Sequence, residues 1–368
     1  MLPLITSEFD LSDVQAGLIA TALFLAASVA MLLLGDAADR YPPKTALAVA
    51  MTLVLAGNVA TALSSTYAQL LVAKAIGGLG GGVAFLAGIR YVQRRYGEGR
   101  PHFGQGLYGA GFPLGSAIGL WVMPPLALAY GWRGAFWVTS AAIALCLVAW
   151  LAASSMPRMA RPGTVLDALR CRNCWGTTVQ HAAGFGLVFA AATWVTTFLV
   201  RDFDLPLATS GILGSLLLVL AVLSRPLGGF LVAREHVGTL VVMRIAQATI
   251  LVGVALVALP GRPLLAAMAG AAALGIGGGL PYAAVFTTAA RSLPGASSAA
   301  QSLTALGGLL GTLIGAPAMG YAIQTWGFSW AWLILGVIST GALAVTFFMT
   351  GEEELAAQRE RGSTSLPS

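Results

Sequence analysis

"GLGGGVAFLAGIRYVQRR" (Gly78–Arg95) comes back 197 residues later as "GIGGGLPYAAVFTTAARS" (Gly275–Ser292). Two more pairs keep the same order. "YGWRGAFW" (Tyr130–Trp137) aligns with "WGFSWAWL" (Trp326–Leu333) at an offset of 196, and "GDAADR" (Gly35–Arg40) with "GFLVAR" (Gly229–Arg234) at 194. Three segments in one order at nearly one offset point to two homologous halves. The halves are read as 1–155 and 176–350, joined by a basic linker over 156–175 and followed by a polar tail over 351–368 that is expected to fray.

Of the 368 residues, 57% are hydrophobic and only 9% charged. Soluble domains are roughly a quarter charged, so this chain has too few charges to cover a surface facing water. A hydrocarbon core ~30 Å thick needs about 20 apolar residues per helix. Such runs recur near 14–35, 45–65, 68–92, 104–128, 133–154, 176–200, 208–233, 239–259, 264–290, 298–324 and 328–350, about eleven in all. The reading is an all-α polytopic membrane protein built from two pseudo-repeated helical bundles. Fifteen of the twenty Lys and Arg, Arg90 among them, fall in one set of alternate loops and the tail, four in the other set, and Arg225 inside a helix. That bias places the C-terminus in the cytoplasm and Met1 outside, as in a multi-pass protein of the cytoplasmic membrane. The net charge of +6 is this loop bias. No nucleic-acid partner is expected; the lipid bilayer is, and the chain is read as a monomer. No signal peptide is visible, because the opening "MLPLITSEFDLSD" carries three acids and no basic stretch.

"GDAADRYPPK" (Gly35–Lys44) resembles the loop motif after the second helix of the major facilitator superfamily. Gly35, Asp39, Arg40 and Lys44 match it; Ala37 stands where Leu is usual, and Pro42 and Pro43 stand for Gly-Arg, which stiffens the turn. "KAIGGLGGG" (Lys74–Gly82) is similar to the fourth-helix motif, with Lys74 for Arg and Gly77 for Gln. "GAGFPLGSAIG" (Gly109–Gly119) is similar to the fifth-helix Gly-Pro motif, with Phe112 between Gly111 and Pro113. "YGWRGAFW" looks like the start of the sixth helix. The resemblance implies secondary transport of a small molecule or ion by rocking of two six-helix halves around a midplane site, with no cofactor. In this register the first helix seen is the family's second. About eleven of the twelve helices are then present, and the true start is expected upstream.

The charged loop has a physical role under this reading. Asp39 would face the N-terminus of the 298–324 helix, where the helix dipole favours an exposed carboxylate by roughly 0.3–1 kcal/mol. With Gly35, Arg40, Lys44, Arg94 and Arg95 it forms a candidate inner gate. An ordinary juxtamembrane turn carrying positive-inside charges is the alternative.

An ionised side chain at a helix centre costs roughly 2.5–3.5 kcal/mol on insertion scales, so each one is a candidate site. No Asp or Glu lies mid-span. Arg225, in "VLSRPLGGFL", resembles an eighth-helix arginine of the nitrate/nitrite porter family that binds the anion before a glycine pair. A planar guanidinium can donate two hydrogen bonds to a planar oxyanion. That family has a second arginine where this chain has Met31, and R-P-L-G-G is also a common structural element. Both readings of Arg225 stay open. Lys74, Tyr282 and Asn58 are the other substrate-binding candidates, while Gln180 and Gln247 either line a pore or bond between helices. His181 is a proton carrier or a packed histidine. Gly111, Pro113, Gly278 and Pro281 are hinge or packing positions.

The remaining motifs exclude more than they propose. "GQGLYG" (Gly104–Gly109) fits a dinucleotide pattern but follows no strand. There is no Walker loop, no H-E-x-x-H and no G-x-S-x-G, so neither a metal site nor an enzyme is expected. The C-x-x-C of Cys171 and Cys174 is read as loop cysteines before metal or redox chemistry. The reading is a secondary transporter with a small anion such as nitrate or nitrite favoured. Its rivals are a non-transporting receptor or transporter remnant, and a membrane enzyme, which would need catalytic groups gathered at one depth.

Overall fold

The computed structural model describes residues 2–11, 13–33, 41–96, 101–155, 165–233 and 237–357. Gly35, Asp39 and Arg40 lie outside the described residues, as do 156–164 of the linker and 358–368 of the tail. Among the described residues there is helix and no strand. The helices are α1 (Leu2–Phe9), α2 (Asp13–Leu33), α3 (Pro43–Leu63), α4 (Tyr67–Tyr96), α5 (Pro101–Leu151), α6 (Val165–Arg170), α7 (Arg172–His181), α8 (Leu187–Phe203), α9 (Leu207–Ala233), α10 (Thr239–Ala258), α11 (Leu264–Gly279), α12 (Tyr282–Ser292), α13 (Ser297–Trp326) and α14 (Phe328–Val345). A π-helical turn, Ala182–Gly186, joins α7 to α8 in one continuous segment. Nine segments among the described residues are long and apolar enough to cross a bilayer, and Leu18–Met31 on α2 adds a shorter apolar stretch.

The contacts divide into two units. One holds Met1–Arg95 and Ile118–Gly163, the other Tyr96–Ala117 and Thr164–Ser368. The first has a core of Ile5, Ile19, Ala62, Leu70, Trp132 and Phe136. The largest core of the second gathers α8, α9, α10, α11, α13 and α14 around residues such as Phe198, Leu217, Ile250 and Trp332.

Glycine sets the helix packing in both units, and it does so at repeat-equivalent positions. A Cβ on Gly78 would strike the backbone of Leu23, one on Gly80 that of Ala50, and one on Gly82 that of Ala27. In the second unit a Cβ on Gly275 would strike Leu217, one on Gly277 Ala246, and one on Gly279 Ala221. Gly57 lies against Ala73 and Gly77, and Gly253 against Gly270 and Leu274. Glycines spaced by two fall on different faces of a helix, so α4 and α11 each touch two neighbouring helices backbone to backbone. Lipid gives apolar side chains no reason to leave it, and close backbone approach through small residues supplies the association instead.

The second repeated motif is a backbone turn. α5 is hydrogen-bonded as one helix across a point where two were expected, 104–128 and 133–154, but Gly131 breaks it at φ 69°, ψ 164°. Gly327, its counterpart between α13 and α14, has φ 85°, ψ 176°. That region is open to glycine and costs other residues on the order of 1–3 kcal/mol. Nothing lies within 4 Å of where either Cβ would stand, so any loss comes from the backbone alone. Beside Gly131, Trp132 and Arg133 both donate to the carboxylate of Glu8, which ties α1 to the turn.

The tail differs from its expected fraying, because its first turns are anchored. Residues 352–357 are helical and Glu352 is buried. Glu353 Oε1 accepts from the Thr239 backbone N–H at 2.9 Å, capping the N-terminus of α10 from across the unit.

Gly131→Ala and Gly327→Ala should each lower the thermal unfolding midpoint in detergent by an amount equivalent to about 1–3 kcal/mol. Gly111→Ala, at a helical glycine with open space around it, should show no loss. Equal behaviour of all three variants would sink the backbone explanation.

Candidate functional site

Among the described residues of the second unit, Arg225 is buried with no acid paired to it. Arg225 lies on α9 immediately before Pro226, and only 2% of its surface is exposed. Small residues make room for it. A Cβ on Gly106 would meet the Arg225 carbonyl at 2.6 Å, and one on Gly109 would fall into the Tyr282 ring. Within "GQGLYG", Gly106 and Gly109 are therefore contact points of the start of α5 with α9 and with Tyr282 of α12, not a phosphate loop. The guanidinium donates through Nη1 to the Gly109 carbonyl. Its Cζ stands 4.6 Å from the centre of the Tyr282 ring and 5.6 Å from that of Phe185. Arg225 Nε and the Tyr282 hydroxyl are buried without a hydrogen-bond partner among the described residues.

Aromatic rings close the surroundings. His181 stacks on Phe185 with centroids 5.3 Å apart, and meets Phe286 edge-on at 4.9 Å and Tyr282 at 5.9 Å. Phe112 packs against Phe185 and Phe189 at 5.5 and 5.3 Å. The π turn begins just after His181 and carries Phe185; such turns are rare and recur at functional sites. Its Gly186 sits against Gly311 of α13, where a Cβ would stand 2.7 Å from Cα. Tyr282 owes its place to Pro281, which caps α12 at φ −80°, ψ −4° after α11 has ended at Gly279. Gly278 lies against Val188 and the Gly184 carbonyl, bringing the π turn and α11 together. Pro113 is buried within α5, whereas Gly111 faces open space.

A buried cation ringed by aromatic faces keeps much of its charge uncompensated. Ring quadrupoles contribute about 0.5–2 kcal/mol each, well below the several kcal/mol cost of desolvating an ion. Among the described residues no carboxylate pairs with Arg225, so its spare N–H and the nearby hydroxyl can serve a small anion.

The other candidates sit in the first unit. Asn58 donates through Nδ2 to the Phe136 carbonyl, Thr139 Oγ1 and Ser140 Oγ at 2.9–3.1 Å. Lys74 Nζ stands 4.2 Å over the Phe136 ring, so the two candidates meet at one residue. Lys44 donates to the Leu151 carbonyl at 2.7 Å while its own carbonyl accepts from Trp150 Nε1. Arg94 and Arg95 occupy the last turn of α4.

Other polar groups are placed only by the structure. Arg90, counted among loop cations, lies inside α4 and is buried. Gln180 and Gln247 bond helix to helix: Gln247 Nε2 donates to Gln180 Oε1 at 3.0 Å, and Ser339 Oγ donates to Gln247 Oε1 at 2.7 Å. A cavity of 310 Å³ in the second unit is lined by His102, Arg291, Glu352 and Glu353, with Val232, Val237 and Gly238. There Glu352 Oε1 lies 2.6 Å from Arg291 Nε and 3.4 Å from His102 Nε2. The proximity of residues 102 and 352 leaves no local signal. Among the described residues no group of three or more His, Cys, Asp or Glu is placed to hold a metal ion.

Comparison with known proteins agrees with this architecture. The sequence profile of the Major Facilitator Superfamily matches residues 1–302. A probable nitrate/nitrite antiporter of Thermus thermophilus is 27% identical, over 94% of this chain and 82% of its own length. A nitrite extrusion protein of Bacillus subtilis is 23% identical over 98% of the chain and 92% of its own length. A probable nitrate/nitrite transporter of Mycobacterium tuberculosis is 28% identical over 84% and 81%. Among solved structures, the transporter FucP in its outward conformation superposes with a TM-score of 0.77 at 15% identity, covering 95% of this chain and 93% of that one. Nine membrane-length helical segments among the described residues, a repeated glycine pattern and a matching profile lead to one conclusion: this chain is a multi-pass membrane transporter belonging to the Major Facilitator Superfamily.

Proposed function

We propose that this transporter carries a small anion, nitrate or nitrite, by alternating access, with Arg225 as the anion-binding group. The observation that carries the reading is the burial of Arg225 without an acidic partner, its Nε and the Tyr282 hydroxyl both unsatisfied among the described residues. Its planar fork suits a planar oxyanion, and the aromatic rings around it exclude water that would compete for the ion. The names borne by the nitrate and nitrite relatives support the same substrate class. Lys74 and Asn58 are the polar candidates within the first unit, both placed against Phe136.

In this scheme the rocking bodies are residues 1–155 and 176–350, with the linker 156–175 and the tail from 351 on the cytoplasmic side. Gly35, Asp39, Arg40, Lys44, Arg94 and Arg95 form the inner gate. Pro281, Gly278, Gly111 and Pro113 supply the bends. The protein would work as a monomer.

In proteoliposomes, Arg225→Lys should cut nitrate or nitrite uptake at least tenfold, and Arg225→Ala on the order of a hundredfold. Those losses correspond to the roughly 1.5–3 kcal/mol of hydrogen bonds to a charged group. Full uptake by Arg225→Ala would return the residue to a structural role. Asp39→Asn should loosen the inner gate, read as altered accessibility of cysteine probes on the two membrane faces; unchanged labelling would remove Asp39 from it.

A further inference from the structure

Cys171 and Cys174 occupy the start of α7 with unequal exposure. Cys171 is the N-cap residue of the helix and is partly exposed; Cys174, one turn on, is buried. Cys174 belongs to a buried cluster with Ala168, Ala289, Ala296, Ala299, Ala300 and Leu303, and Cys171 packs against its edge. The two Sγ atoms are 2.7 Å apart, and both thiols are free. Cys171 Sγ also accepts from the Cys174 backbone N–H at 3.3 Å. One sulfur is thus open to a reagent and held by hydrogen bonds, while the other waits behind it, shielded and in contact.

We propose that Cys171 and Cys174 form a redox-active dithiol that closes reversibly to a disulfide by exchange with a low-molecular-weight disulfide, Cys171 attacking and Cys174 resolving. In the first step the Cys171 thiolate attacks one sulfur of the incoming disulfide. A mixed disulfide forms on Cys171, and one thiolate leaves and takes a proton from water. In the second step Cys174 gives its proton to water and attacks Cys171 Sγ. The internal disulfide forms and the second small thiol departs. The dithiol loses two electrons and two protons, and one small disulfide becomes two small thiols.

The environment of Cys171 favours the first step. The hydrogen bond from Cys174 brings its thiol down to about 6, against an opposing effect of burial and with help from the backbone N–H groups of Cys174 and Asn173. Thiolates at helix N-termini in C-x-x-C pairs are the nucleophilic partners of such exchanges. The same turn has a second attachment. Asn173, between the cysteines, donates to Ser292 Oγ at 2.6 Å and to the Thr350 carbonyl at 3.0 Å, and accepts from the Thr350 N–H at 2.9 Å. Closing the pair therefore acts on the turn that anchors the end of α12 and the start of the tail.

The test is equilibration of the purified full-length protein in detergent with glutathione buffers of graded oxidation. A denaturing quench with N-ethylmaleimide and intact-mass measurement then count the thiols. The reduced chain should carry three maleimides and the oxidised chain one, on Cys146. The change should follow a two-electron dependence, a tenfold change in ratio per ~30 mV. Cys171→Ser and Cys174→Ala should each abolish the loss of two labels, and Cys174→Ala should instead accumulate glutathione on Cys171. On native wild-type protein, alkylation at Cys171 should outpace that at Cys174 and rise with pH through about 6. Three maleimides at every ratio, or a stable glutathione adduct on the wild-type chain without loss of the second thiol, would overturn the proposal. The principal readout uses the wild-type chain, so it decides the question even where a variant fails to fold.

Discussion

Backbone contact through glycine is the constraint on which the rest of this structure depends. α4 and α11 are each held between two helices with almost no side chain at the crossing. At such distances a single methyl group has nowhere to go, so the register of every neighbouring helix is set to within a residue. The same economy governs the start of α5, where Gly106 and Gly109 admit the carbonyl of Arg225 and the ring of Tyr282. Remove that closeness and the arginine has neither its carbonyl acceptor nor its aromatic walls.

The arginine is the energetic exception in an otherwise sparsely charged interior. A buried cation is tolerated when hydrogen bonds and ring faces offset part of its desolvation, and Arg225 has the Gly109 carbonyl as acceptor and two rings within 6 Å. Its Nε–H is left over among the described residues. Ion pairs elsewhere in the same unit follow the usual pattern, as at Arg291 and Glu352, where opposite charges meet directly. The contrast between these two arginines is one of pairing: Arg291 meets a carboxylate, and among the described residues Arg225 does not.

Much of the fold was legible because membrane helices announce themselves. Lipid demands long apolar segments with internally satisfied backbones, so composition alone yields their number and approximate limits. The repeat was legible because glycine at a crossing, or at positive φ as in Gly131 and Gly327, cannot be exchanged for another residue without cost. Arg225 stood out as a charge inside an apolar run. Its cage did not: Phe185, Tyr282 and Gly109 are 40, 57 and 116 positions away along the chain, and although Tyr282 was itself a candidate, nothing local joined it to Arg225. Gln180 and Gln247 looked equally able to line a pore, and only their mutual hydrogen bond decides otherwise.

What the sequence by itself determined was class, repeat and candidate charges. These properties follow from hydrophobicity and backbone conformation, which act residue by residue and survive in one dimension. Tertiary structure decided which polar groups meet. It joined Asn58 to Phe136 beneath Lys74, set Cys171 against Cys174 with unequal exposure, and folded Glu352 and Glu353 back onto Arg291 and Thr239. Such meetings depend on how helices far apart in the chain cross, and the glycine contacts that position those crossings become specific only when both surfaces are present.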